Sequence, residues 1–165
     1  MIPAVDPTKP LGRLERWQRR ILLTKPGNWF AMKVSTRIDP VLLRATRGRF
    51  STGIAFPIVL MTVRGRKSGE PRTVPLVYFT DGDDAILIAS SFGRPNHPAW
   101  YLNLTANPEV ELLGGGVRER YVAHETQGEE RERLYGLAEQ LYSGYGLYAQ
   151  TAGDREIPVM RLKRL

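Results

Sequence analysis

Between Thr62 and Leu76 the chain reads TVRGRKSGEPRTVPL, with Arg64, Arg66, Lys67 and Arg72 crowded beside Gly65 and Gly69. Glycine accepts positive φ without steric penalty. A glycine-bearing turn can therefore aim several backbone N–H groups at one point, and Lys and Arg add charge-assisted donors. That chemistry suits a phosphate or a carboxylate, although a merely solvated basic turn has the same composition. A second cluster is Ala89-Ser90-Ser91-Phe92-Gly93, followed by Pro98-Ala99-Trp100-Tyr101-Leu102-Asn103. Hydroxyls and the free N–H groups of a helix start can hold a polar ring edge or an anion. Trp100 either borders such a ring or anchors the core. A third set is Tyr142, Tyr145 and Tyr148, three residues apart. On a helix they broadly share a face, while Gly144 and Gly146 leave helix and loop both open. Three phenols make an apolar wall with hydrogen-bonding tips, suited to a flat organic substrate. They equally make a core stripe.

These residues need elements to hold them. Ile58–Arg64 and Arg72–Phe79 are rich in β-branched and aromatic residues and read as two strands of a hairpin. Ala85–Ser90 reads as a third strand, reached through the turn Asp81-Gly82-Asp83. Pro98–Ala106 reads as a short helix, and Val110–Leu113 and Val117–Glu125 as a hairpin across Gly114-Gly115-Gly116. Thr126 and Glu129 have capping-box spacing before a helix running to about Tyr142. Ile157–Leu162 reads as a last strand. Upstream, Pro10–Leu23 carries an apolar stripe at helical spacing among four arginines, and Lys25-Pro26-Gly27 reads as its stop. Asp39 and Pro40 read as the N-cap and first turn of a helix ending before Gly48. The strands are mostly antiparallel and do not alternate with helices, which argues against a doubly wound parallel sheet. We expect residues 1–50 to form a basic helical extension and residues 51–165 the β domain.

Composition narrows the chemistry. The 165 residues suit one domain with a real core. There are no cysteines and two histidines, His97 and His124, so thiol nucleophiles and disulfides are excluded and a zinc site is disfavoured. Residues 1–75 hold 15 Lys and Arg against 4 Asp and Glu, a net of +11, whereas residues 76–165 are net negative at −4. A basic half implies an anionic partner: nucleic acid, an anionic membrane surface or a small polyanion. Aromatics are not interleaved with the basic residues as in stacking platforms, and no nucleic-acid motif is present. The basic, apolar-striped N-terminal helix suits peripheral contact with anionic lipid. The longest apolar run, Gly53–Val63, is too short to span a bilayer, and we expect a cytoplasmic protein, membrane-associated if that helix meets lipid.

Three blocks carry a resemblance. GRKSGxPRxxPL at Gly65–Leu76, ASSFGxxxHPAWYxNL at Ala89–Leu104 and YxGYxxYxxxxxxREIPV at Tyr142–Val159, in that order, resemble the signatures of the deazaflavin (F420)-dependent nitroreductase family. The resemblance implies a mixed α+β, mainly antiparallel split β-barrel related to flavin-mononucleotide-binding oxidoreductases. It implies N-terminal helices and a helix before the last strand. It implies reduced coenzyme F420, with flavin mononucleotide disfavoured, as hydride donor to a small organic acceptor: a nitro compound, a quinone or an activated enone. Carried over by position, Arg66, Lys67, Ser68, Arg72 and Pro75 hold the phosphate region, and Ser90, Ser91, Trp100 and Asn103 border the deazaflavin. Tyr142, Tyr145, Tyr148 and Val77 line the substrate face, with Tyr145, Tyr148 or Ser90 supplying a hydrogen bond or proton. The chain departs from the family's nitroimidazole-reducing type at Val77, where that type has tyrosine. It also carries Ser91-Phe92-Gly93 where many relatives have two glycines. A non-catalytic deazaflavin carrier is the alternative in another class, and an oligomeric state is not readable.

Overall fold

The computed structural model describes residues 1–9, 12, 17, 20, 21, 24–30, 33, 34, 36–51 and 56–165. The helix expected over Pro10–Leu23 falls mostly outside the described residues. In chain order come α1 (Lys25–Phe30), α2 (Thr36–Ala45), β1 (Ile58–Arg64), β2 (Pro71–Asp81) and β3 (Asp84–Ile88). After a 3-10 turn at Ser91–Gly93 follow α3 (Ala99–Ala106), β4 (Glu109–Gly114), β5 (Val117–Glu125), α4 (Gly128–Leu141), α5 (Gly144–Thr151) and β6 (Val159–Arg164).

The six strands close into a barrel in the order β1-β2-β3-β6-β5-β4, with β4 pairing back onto β1 and every pair antiparallel. Side chains alternate across each strand. Val59, Met61, Val63, Ala85, Leu87, Val110, Leu112, Tyr121, Met160 and Leu162 fill the interior. The opposite face of β3 is apolar too: Ile86 and Ile88 pack outward with Phe79 and Val159 against Leu134, Ala138 and Leu141 of α4. A strand buried on both faces reads as a continuous apolar run, which is why β3 shows no polar alternation. On the far side Leu43 of α2 covers Leu60 and Leu113.

β2 changes partner along its length. Pro71–Val77 pair with β1, whereas Tyr78–Asp81 pair with β3. The first seven residues therefore have a β1 neighbour on one side and no β3 neighbour on the other. This is the split in the barrel, and Pro75 lies within it, opposite Leu60. Proline cannot donate to a ladder, so it belongs at such an open edge.

Several local expectations give way to competing contacts. Thr126 is not the cap of α4. The N-cap is Gln127, and the buried Thr126 hydroxyl donates to the Val159 carbonyl at 3.1 Å. α2 begins at Thr36, so Pro40 sits inside it and the buried Asp39 is in its first turn. Lys25-Pro26-Gly27 opens α1 where a stop was expected. At the end of α2, Gly48 takes φ 77° and its N–H donates to Leu43 O at 2.6 Å. A Cβ at Gly48 would lie 2.8 Å from Gly114 Cα, and Gly115 N donates to Gly48 O at 2.9 Å. Only glycine allows this helix end to seat on the β4–β5 turn.

Residues from both sides of position 50 share cores. Ile2 is 3% exposed inside the barrel; the Thr80 N–H donates to Val5 O at 3.0 Å, and the Val5 N–H donates to Thr80 Oγ1 at 2.9 Å. The Tyr78 hydroxyl donates to Pro3 O at 2.8 Å.

Candidate coenzyme and acceptor site at the open edge of β2

Arg66, Lys67 and Ser68 are exposed on the turn joining β1 to β2. The turn is closed by Gly65 N to Glu70 O and Gly69 N to Gly65 O, both at 2.8 Å. Ser68 Oγ accepts from Glu70 N at 3.3 Å and from Arg72 Nη2 at 3.5 Å. Asn103, on α3, accepts the Arg66 N–H at 3.1 Å, and Asn107 donates to Arg64 O at 3.3 Å. The turn is thus held from below by a helix, and Asn103 acts on it through the backbone.

The arginines of β5, α4 and β6 are neutralised in place. Arg118, Arg120, Arg131, Arg133, Arg161 and Arg164 each face a carboxylate. Among the described residues, Arg66, Lys67 and Arg72 are in no ion pair. Three cations left without carboxylates on one rigid turn fit an anionic group supplied from outside.

About five residues further along β2 stands the second half of the site. At ~3.3 Å per residue, Arg72 and Val77 are about 16 Å apart along the open edge. Val77, Tyr142 and Tyr148 are half-buried around the outer core, and Tyr145 lies within it at 6% exposure. The three tyrosine rings meet edge to face, with centroids 5.6–6.2 Å apart. α5 carries Tyr145 and Tyr148, while Tyr142 is the C-cap residue of α4, so two helices build the cluster. Phe56 adds a fourth edge on Tyr142 at 5.1 Å, and Phe92 a fifth on Tyr148 at 6.0 Å.

Burial pushes the Tyr145 and Tyr148 hydroxyls above the usual phenol range, and for Tyr148 its hydrogen bond with Tyr142 adds to that. The Tyr142 and Tyr148 oxygens are 3.5 Å apart. A phenol held neutral this firmly is a poor proton donor in the Brønsted sense but a good fixed dipole. Of the two phenols expected to act, Tyr148 is the half-buried one and Tyr145 belongs to the core.

Ser90, Ser91 and Phe92 follow β3 across the split. Ser90 is right-handed (φ −65°, ψ −31°), and Ser91 and Phe92 are left-handed (φ 53° and 55°). Successive right- and left-handed residues turn their N–H groups toward a common point, an anion-accepting nest. Left-handed non-glycine residues cost on the order of 1–3 kcal/mol each and persist where neighbours over-determine them. Gly93, at φ 72°, is buried so closely that a Cβ would lie 2.0 Å from Thr151 Oγ1. Trp100 is half-buried against the barrel core and meets Tyr101 edge to face at 6.5 Å. Its packing fits an anchor of α3 on the barrel. Tyr101 donates to Glu125 at 2.8 Å, and burial together with that bond pushes its hydroxyl up to about 12.

The structure therefore gathers the expected residues into two groups along one strand edge. Arg66, Lys67, Ser68, Arg72 and Asn103 stand at one end; Val77, Ser90, Ser91, Tyr142 and Tyr148 stand at the other, with Pro75 between. Sequence reasoning gave no role to Arg155, whose guanidinium donates to Ala89 O, Ser90 O and Arg94 O. Its signal was present in the REIPV block, but a lone arginine does not announce carbonyl partners some 60 residues away.

A family model described as F420H(2)-dependent quinone reductase matches residues 34–164. An F420H(2)-dependent quinone reductase of Mycobacterium tuberculosis is 35% identical over 132 residues, covering 78% of this chain and 89% of its own. A solved F420-H2 dependent reductase (FDR-A) is 42% identical with a TM-score of 0.60, covering 65% of this chain and 94% of its own. A further solved structure, described as a domain-swapped dimer, is 36% identical with a TM-score of 0.61, covering 84% and 100% respectively. The match spans both ends of the β2 edge and the helices that flank it, and the chain belongs to the F420H(2)-dependent quinone reductase family.

Proposed function

We propose that this protein is an F420H2-dependent reductase that reduces a quinone along the open edge of β2. The observation that carries the reading is the pairing, on one strand, of three cations without carboxylates with a tyrosine cluster that shares a core with Val77, about 16 Å of strand beyond Arg72. An elongated coenzyme with an anionic arm and a flat ring fits that spacing and that donor set. Arg66, Lys67, Arg72 and the Ser68 hydroxyl hold the phosphate region. Ser90, Ser91 and Trp100 border the ring, and Pro75 keeps the strand edge free of competing donors. Bound there, reduced F420 supplies the hydride that, with one proton, converts a quinone to its hydroquinone.

The chain's own contribution is binding, orientation and exclusion of water. Tyr142 and Tyr148 wall the acceptor side, and Tyr148 donates a hydrogen bond to the oxygen that gains electron density. Tyr145 backs them as packing. Val77 offers no hydroxyl and adds only apolar surface to this wall.

Acceptors of this kind partition into lipid, and the N-terminal helices expose apolar and basic side chains that suit a membrane surface. Trp29, Ile38, Val41 and Phe50 are exposed, and Arg37, Arg44, Arg47 and Arg49 lie among them in sequence. Among the described residues no helix is long and apolar enough to cross a membrane. The reading is therefore peripheral contact with anionic lipid. Sedimentation with anionic vesicles at low salt, lost at high salt or with neutral vesicles, is the expected result.

The function itself is tested by mixing reduced F420 with the protein and following its oxidation with and without a quinone. Oxidation that requires the quinone supports the reading. Tight coenzyme binding with no oxidation by any quinone returns the protein to the carrier class.

A further inference from the structure

Arg155 sits between α5 and β6, on the segment leading back into the barrel. Its Nε donates to Arg94 O at 3.0 Å, Nη1 to Ala89 O at 3.1 Å and Nη2 to Ser90 O at 2.7 Å. All three guanidinium nitrogens are thus spent on main-chain carbonyls of a single segment. Among the described residues Arg155 is in no ion pair. The segment it grips, Ala89–Arg94, contains the two left-handed non-glycine residues that border the site. Gly93 N donates to Ser90 O and Arg94 N to Ser91 O, so the carbonyl at Ser90 is shared between the turn and the arginine.

We propose that Arg155 is the positioning residue of the coenzyme site, holding Ser91 and Phe92 left-handed and polarising the peptide that presents the Ser91 N–H. The argument rests on the reading of the site given above. Left-handed conformation at Ser91 and Phe92 is disfavoured in isolation, so something outside the segment must hold it. Three charge-assisted bonds from one planar fork fix the relative positions of residues 89, 90 and 94, which bracket the strained pair. Donation to the Ser90 carbonyl also withdraws density from the same amide, whose N–H is that of Ser91, and so makes it a stronger donor. A lysine keeps the charge but cannot span three carbonyls. Of the three consecutive left-handed residues only Gly93 is a glycine, so Ser91 and Phe92 depend on the external clamp.

The test compares Arg155→Lys with the unchanged protein at a temperature well below both melting midpoints. In the ligand-free protein, hydrogen exchange at the amides of residues 91–94 should rise in Arg155→Lys while that of β4 and β5 stays the same. In a calorimetric titration with F420, the dissociation constant should rise by about 10-fold to 100-fold. In a Ser91→Gly/Phe92→Gly background, where both positions adopt positive φ unaided, the same substitution should cost clearly less than in the parent, a non-additivity that a merely structural arginine would not produce. Unchanged exchange overturns the proposal, and so does a dissociation constant within twofold of the parent or an equal loss in both backgrounds. If the unchanged protein fails to bind F420, the functional reading falls, and the exchange result still decides whether Arg155 clamps the segment.

Discussion

Lys67 and Arg72 illustrate how a residue's partners decide its meaning. The arginines of β5, α4 and β6 are matched by carboxylates, whereas Lys67 and Arg72 stand at a helix-supported turn with none among the described residues. A charge-assisted contact to a bound anion contributes roughly 1.5–3 kcal/mol. Lys67→Ala and Arg72→Ala should each weaken F420 binding by about 10-fold to 100-fold, with little change in the quinone KM measured at saturating coenzyme. Unchanged titration curves in both variants would reduce the turn to a solvated one. At Tyr148, replacement by Phe keeps the wall and removes one donor. Loss of a single preorganised donor costs roughly 10²-fold in kcat. Tyr145→Phe, deep in the outer core, should leave kcat within about threefold. A larger effect at Tyr145 than at Tyr148 would reverse the assignment of the two phenols.

At the scale of elements, most of the architecture was legible because period and turn chemistry agree with burial. β1 and β5 run over the residues expected, Ile58–Arg64 and Val117–Glu125, since glycine bounds each at one end, Gly65 after β1 and Gly116 before β5, and each buries residues at alternate positions. The failures have a common cause: tertiary contacts took groups that local rules assign elsewhere. Thr126 had capping-box spacing, but its hydroxyl is claimed by Val159 of the neighbouring strand. Pro40 looked like a first-turn residue, but α2 starts four residues earlier to bring Leu43 over Leu60 and Leu113. The split of the barrel was not readable from β2 itself, apart from Pro75, because the change of partner depends on where β3 turns away. Arg155 was hidden for the same reason. α4 is held by Leu134, Ala138 and Leu141 against Ile86 and Val159, and it also carries Tyr142 at its end. Leu134→Ala should destabilise the protein by about 2–5 kcal/mol, read as a fall in the denaturation midpoint. Because α4 ends at the tyrosine cluster, quinone KM should rise in the folded variant while F420 affinity at the basic turn is kept.

For the whole molecule, the ion network at the end of the barrel away from the basic turn ties four elements together. Arg161 of β6 donates to Asp81 of β2 at 2.5 Å, to Asp84 of β3 at 2.8 Å and to Glu130 of α4 at 2.8 Å. Arg133 of α4 adds a bidentate pair to Asp81 at 2.7 and 3.0 Å. The Arg133 bond, helped by Arg161 and opposed by partial burial, holds the Asp81 carboxyl down at about 2. A carboxyl depressed in the folded state stabilises it fully above the unfolded value, about 3.9. That contribution drains away as pH falls through about 2, because the unfolded chain takes up the proton first. The carboxylate is about a quarter exposed, so solvent screens the pair and the contribution is on the order of 1–2 kcal/mol, less than the shift alone implies. Asp81→Asn should therefore lower stability by about that amount at pH 7. The gap between parent and variant should close between pH 4 and pH 2, because only the parent loses this term. Removing one partner also leaves Arg161 nearly buried with fewer acceptors, which raises the cost at neutral pH without altering where the gap closes. Urea denaturation of both proteins at pH 7, 4 and 2 measures it, and a gap that stays constant over that range would mean that the network does not depress Asp81.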